Sequence, residues 1–239
     1  MTKFLTTLAL IFGVNLEAAP AQERSIQLTP ANTVVFRDEV TASSVSQVQQ
    51  ELAKLDKLRG NKNYPIYLVL DCPGGSIFAG QAFIEYAKTI KNLKTVTIFA
   101  ASMCSGIVQQ LQGERLAADN AVMMFHRAHA GVEGYLNDGE LEEMVRFIKN
   151  VVLDMEIKNA NRMGIDYQTY KNRIATEWWM YGSEVVTNKA ADRSVALSCS
   201  SELIETKQVI EVETLFGSIS VEFSGCPLFR SPISIKEGE

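Results

Sequence analysis

The sequence predicts an α/β fold in which helices cover a parallel sheet, and three observations carry that prediction. Apolar runs of strand character at Thr33–Phe36, Ile66–Leu70 and Lys94–Phe99 alternate with segments whose apolar residues recur at helical spacing. Two of these runs end in small-residue turns that open a helix: Asp71-Cys-Pro-Gly-Gly-Ser76 and Ala100-Ala-Ser-Met-Cys-Ser-Gly106. With 239 residues and 46% apolar content, the chain can bury one sizeable core and carry a small appendage.

Taken in order, Met1–Ala21 reads as a targeting segment. Lys3 supplies the positive start, Leu5–Val14 the apolar stretch and Ala19-Pro20-Ala21 the small-x-small cleavage pattern. The alternatives, a buried first helix or a short anchor, fit less well because the apolar run is short for a membrane span. Export to a periplasm or beyond is the expectation. Residues 22–198 are read as the α/β domain and residues 199–239 as a β-rich extension.

Ser25–Val40 is extended around Thr33–Phe36, and Thr41 then caps a helix with Val45, Val48, Leu52, Leu55 and Leu58 on one face, closed by Gly60. After the strand Ile66–Leu70 and its glycine turn, Ala79–Ile90 is helical, with Phe83, Ile84 and Ala87 inward. Lys94–Phe99 follows, then the Ser102 turn and a helix through Leu111 that stops at Gly113. Arg115–Ala118 and Val122–Phe125 read as two short strands ending at His126, with Met123 and Met124 in the core. Gly131, Gly134 and Gly139 surround an expected mobile loop.

Glu140–Met163 is a long helix with an apolar stripe through Leu141, Met144, Val145, Ile148, Val151, Val152 and Met155. The stripe is assigned to the domain's own core, although its length also suits a subunit interface. Tyr167–Ile174 and Ser183–Ala190 are shorter helices, Trp178, Trp179 and Met180 read as packing residues, and the tail has β-like runs at Val209–Phe216 and Ser218–Phe223.

The net charge of −5 and the lack of a basic block give no nucleic-acid surface. Two histidines three positions apart, with no carboxylate or cysteine at matching spacing, fit zinc poorly, so no metal and no cofactor are expected. Four cysteines in an exported chain permit disulfides. Cys199 with Cys226 is the favoured pair, whereas Cys72 and Cys104 either bridge or stay as buried thiols.

Together the two central turns look like half of an acyl-transfer site. A Gly-Gly pair brings backbone close to a ligand without a Cβ, and a small-residue turn presents a serine Oγ. Several motifs then stand in a telling order. Asp71-Cys-Pro-Gly-Gly-Ser76 followed by Ala79-Gly80 resembles the glycine motif of ClpP-type serine peptidases, with Cys72 where serine is usual. Ala101-Ser102-Met103 resembles the nucleophile turn of that family, Gly113-Glu-Arg-Leu-Ala117 a segment that follows it, and Asn120–His126 the stretch ending in its histidine. The similarity runs from Thr33 to Arg193 and implies the ClpP/crotonase spiral of βαβ units.

By that resemblance Ser102 is the nucleophile, His126 its general base, and Gly75 and Met103 the oxyanion-hole N–H donors. His129 is the only other histidine and lies in the loop. Glu177 falls where the family keeps its third, aspartate member, with Asp166 and Asp192 in reserve. A second departure is Cys104, where the family has glycine; a bridge to Cys72 there would brace the oxyanion region. The resemblance further implies a homo-oligomer through the long helix and a polypeptide substrate. Export removes access to cytosolic ATP and so to the family's ATPase partner. The reading is an exported serine peptidase that acts on small or unfolded polypeptides. The alternatives are a binding or scaffold protein on the same fold and, less well supported given the Ser-His pair, an acyl-CoA enzyme of the crotonase type.

Overall fold

The structure, a computed structural model, describes residues 25–129, 135–214 and 217–237. The proposed signal segment 1–21, Gly131 and Gly134 lie outside the described residues.

The chain opens with strands β1 (Ser25–Leu28) and β2 (Thr33–Phe36) and helix α1 (Ala42–Arg59). Thr41 caps α1 in a reciprocal capping box with Ser44, and Gly60 closes it at φ +57°. Strand β3 (Ile66–Cys72), helix α2 (Ile77–Ala87), strand β4 (Leu93–Ala101) and helix α3 (Met103–Gln110) follow as the expected alternation. The stretch expected to hold two short strands is one continuous strand, β5 (Arg115–Phe125). Its polar centre at Asp119-Asn120 is exposed, and a register shift against β4 between Thr97 and Phe99 absorbs the break.

Next come helices α4 (Asp138–Met163) and α5 (Tyr167–Arg173), strand β6 (Trp178–Tyr181), helix α6 (Ser183–Thr187) and strand β7 (Arg193–Cys199). Helix α7 (Ser201–Glu205) leads to β8 (Lys207–Thr214), β9 (Gly217–Ser224) and β10 (Ser234–Glu237). The main sheet runs β1-β7-β5-β4-β3-β2 in parallel, with β6 antiparallel on β5; the last three strands form an antiparallel sheet of their own.

Alternation along the strands assigns the two faces. Ile66, Leu68 and Leu70 of β3 face the core that the helices close with Leu52, Phe83 and Ile107. Tyr67 and Val69 face the other way, joining Val35, Val96, Leu116 and Val195 in a second cluster that Leu203 and Cys226 of the C-terminal region cover. Cys226 is bonded to Cys199 with Cα atoms 5.9 Å apart, which ties that region to the end of β7. Such a closure stabilises by roughly 3 to 4 kcal/mol in the chain-entropy view.

Helix α4 departs from expectation. Of its stripe, only Met155 packs on the core, and the helix buries Glu156, Asn159, Ala160 and Met163 at its C-terminal end. Leu141, Met144, Val145, Phe147, Leu153 and Ile157 are exposed, with Phe147 stacked on Phe78 of α2. The buried residues of this 26-residue helix all lie in its C-terminal half, and the stack on Phe78 is a surface contact. The Trp178 to Met180 segment is also less buried than expected: Met180 is in the core but Trp179 is exposed.

Asp71, the last polar residue before the glycine turn, fastens the extension. Its carboxylate accepts from Arg230 Nη2 at 2.7 Å and faces Arg37 Nε at 3.9 Å, while Arg37 lies over the Phe223 ring and donates to the Ser224 carbonyl. Asp71→Ala leaves the buried Arg37 guanidinium without its counter-charge and is expected to cost about 3 kcal/mol in urea unfolding. Arg230→Ala removes a solvent-exposed partner and is expected to cost less than about 1 kcal/mol; equal losses would contradict this assignment.

Candidate active site

Ser102 sits between β4 and α3 with its backbone at φ +55°, a left-handed conformation that a serine seldom adopts. The turn is held from both sides. Ser102 N–H donates to the Met124 carbonyl at 2.9 Å. The Ser105 hydroxyl lies 2.8 Å from both the Met124 and the Ala100 carbonyl oxygens and shares its one proton between them. Ser102 occupies the N-cap position of α3, yet its hydroxyl makes no cap bond. It instead lies 2.7 Å from His126 Nε2. Because Met124 is pinned to the turn, the end of β5 delivers His126 to the serine two residues later.

The glycine turn closes the other side. Gly74 is at φ +100°, and a Cβ there would lie 2.6 Å from Ser102 Cβ and 2.9 Å from Met103 N, so no side chain fits. Gly75, at φ +140°, is held beside Val40, whose N–H donates to the Gly74 carbonyl and whose own carbonyl accepts from Ser76. Among the hydrogen bonds of the described residues, none uses the N–H of Gly75 or of Met103, the first residue of α3. Two backbone donors are thus left free beside the serine, at a helix N-terminus where partial positive charge collects. Cys72 and Cys104 are joined, with Cα atoms 6.2 Å apart. The bridge connects the strand that enters the glycine turn to the residue after Met103.

His126 has its pKa lowered from the ordinary 6.5, first by burial and then by the neighbouring His129, against the opposing charge of Glu177. The ring is therefore neutral at neutral pH, the form in which it can accept a proton. Glu177 is exposed, and its carboxylate accepts the Trp179 indole N–H at 2.9 Å. Among the described residues no hydrogen bond joins Glu177 to His126, and its influence there is through charge alone. The reserve acids are engaged elsewhere: Asp166 caps α5 through Thr169 N–H, and Asp192 pairs with Arg115.

A cavity of about 220 Å³ opens beside the pair, lined by Ser102, Met103, His126, Met155, Glu156 and Asn159 among others. The sequence reading missed the contribution of Glu156, Asn159 and Tyr170 to it. A signal existed, since Glu156 and Asn159 continue the helical spacing from Val152 to Met163 and so fall on a face headed for burial. No cluster of three or more metal-ligating side chains occurs among the described residues.

In an NMR titration the His126 imidazole is expected to have its midpoint below 6.5. Glu177→Gln lowers that midpoint further by removing a stabilising negative charge, and His129→Ala raises it; a midpoint that Glu177→Gln moves upward would contradict the assignment.

Comparison with known proteins places this geometry in a family. The Clp protease family model matches residues 19–193, well over half of the chain. The "ATP-dependent Clp protease proteolytic subunit 1" of Prochlorococcus marinus (strain MIT 9312) is 26% identical over 157 residues, covering 64% of this chain and 78% of that protein. The "ATP-dependent Clp protease proteolytic subunit" of Borreliella afzelii (strain PKo) is 28% identical over 158 residues, 64% of this chain and 77% of its own. The "ATP-dependent Clp protease proteolytic subunit 1" of Shouchella clausii (strain KSM-K16) is 31% identical over 111 residues, 45% and 56% respectively. With a mostly parallel sheet packed with helices, a serine turn and a histidine just after the end of the neighbouring strand, the chain belongs to the Clp protease family of serine-type peptidases.

Proposed function

We propose that this protein hydrolyses peptide bonds of small or unfolded polypeptides outside the cytosol, without an ATPase partner. The observation that carries this is the 2.7 Å contact between His126 Nε2 and Ser102 Oγ, at a turn flanked by two free N–H groups. In this reading Ser102 Oγ attacks the scissile carbonyl carbon while its proton passes to His126 Nε2. The carbonyl oxygen becomes an oxyanion between the Gly75 and Met103 N–H groups, each contributing roughly 3 to 4 kcal/mol to the transition state. Collapse breaks the C–N bond, and the leaving amine takes the proton from His126. Water, deprotonated by the same ring, then splits the acyl-serine ester.

Glu177 assists by its charge, favouring the imidazolium that forms in each step, while Trp179 holds the carboxylate. The Cys72–Cys104 bridge keeps the two N–H donors in register. Export is supported by the Met1–Ala21 pattern and by the two disulfides, which persist in an oxidising compartment. Without nucleotide at hand, substrates must already be unfolded. The exposed apolar residues along α4, among them Leu141, Met144, Val145 and Leu153, support a homo-oligomer, because apolar side chains left in water call for a partner. The alternative, a binding protein that has lost hydrolysis, draws on the turn of Glu177 toward Trp179.

Reduced, alkylated casein incubated with the purified protein is the test. Cleavage is expected without nucleotide, unchanged on adding ATP, and slowed about a thousandfold or more by Ser102→Ala. Absence of cleavage by wild-type protein, or cleavage that persists in Ser102→Ala, would overturn the reading.

A further inference from the structure

Glu156 is out of place for a carboxylate. The residue is 8% exposed, in the last two turns of α4, whose other buried members are Asn159, Ala160 and Met163. A buried carboxylate is costly unless a cation and hydrogen bonds compensate it. Among the described residues Glu156 has no ion pair, and its single side-chain hydrogen bond comes from the Tyr167 hydroxyl at 2.9 Å. That bond engages Oε2 and leaves Oε1 without a protein donor among the described residues. Exposed Arg127, next to His126, acts through its charge on Tyr167 but makes no ion pair with Glu156 among the described residues.

The carboxylate lines the same 220 Å³ cavity as Ser102 and His126. Ile77, Met103, Phe125 and Met155 give that cavity apolar walls, and Glu156 and Asn159 give it a polar, acidic patch. Asn159 is held in place by its bonds to the Tyr170 hydroxyl and to Gln110. Apolar walls ending in a negative group match a side chain with an aliphatic stem and a cationic head.

We propose that Glu156 makes this cavity a specificity pocket for lysine or arginine on the acyl side of the scissile bond. The proposal rests on the reading of Ser102 as nucleophile and goes beyond it by naming the substrate class. The cationic head takes the place of the missing counter-charge of Glu156, and the stem replaces water along Met103 and Met155. An acidic side chain at that position is repelled, and an uncharged apolar one leaves the buried carboxylate uncompensated.

The test uses fluorogenic peptides that differ only at the residue before the scissile bond: arginine, lysine, norleucine or glutamate. In wild-type protein kcat/KM for arginine or lysine is expected to exceed that for norleucine by about tenfold or more. Glu156→Gln, which keeps the shape and the Tyr167 contact, is expected to remove most of that advantage. Norleucine equal to or better than both basic residues in wild type, or a ratio that Glu156→Gln leaves unmoved, overturns the proposal while peptide cleavage itself stands. If no peptide is cleaved, the hydrolytic reading falls and calorimetric titration with benzamidine decides about the pocket. Binding by wild type that Glu156→Gln weakens about tenfold or more supports it; no binding, or equal binding by both, overturns it.

Discussion

The carbonyl oxygen of Met124 is the point on which the site depends. It accepts from Ser102 N–H and from the Ser105 hydroxyl, and so fixes the end of β5 to the start of α3. That contact holds Ser102 in a left-handed conformation it would not adopt alone, and the same strand carries His126 into hydrogen-bond range. The glycine turn then fits against the serine because Gly74 has no Cβ. The Ser102–His126 contact and the two N–H groups beside it thus follow from one strand-to-helix junction and its neighbour. For the proposed reaction this is preorganisation in a physical sense, since backbone contacts hold these groups in place.

A second constraint acts from behind the sheet. Strands β3 and β4 present apolar residues on both faces, and helices α1 to α3 pack on one of them. The C-terminal region covers the other through Leu203 and Cys226, with the Cys199–Cys226 bridge and the Asp71–Arg230 pair as its fastenings. Asp71 directly precedes the disulfide-bonded Cys72 and the glycine turn. The extension therefore supports the strand that leads into the glycine turn.

Much of this was legible in the residues. Ser102, His126 and the glycine turn were found because a turn of this kind demands particular small residues at fixed spacing, and local demands leave local marks. The division of the tail into β-runs and the cysteine pairing across it were read for the same reason. Three features were not. The merger of Arg115–Ala118 and Val122–Phe125 into one strand depends on a register shift against β4, which no feature of β5 itself announces. The fate of the α4 stripe depends on where the sheet ends, since helical periodicity marks an apolar face without saying what covers it. The surroundings of Glu177 and Glu156 depend on long-range placement. Only the fold brings the charge of Glu177 near His126, and only the fold carries Glu156, an ordinary helix-surface residue type, into the cavity beside Ser102.

Intact-mass analysis after treatment with a fluorophosphonate, on wild-type protein and on Ser102→Ala, tests the central claim most directly. The reagent reacts only where a serine is activated by its base and the phosphoryl oxygen finds N–H donors, the same requirements as acyl transfer. One adduct on wild type and none on Ser102→Ala is the predicted result. Unlabelled wild-type protein with its two disulfides intact would contradict the account, since base, nucleophile and oxyanion donors would then be present in arrangement but not in function.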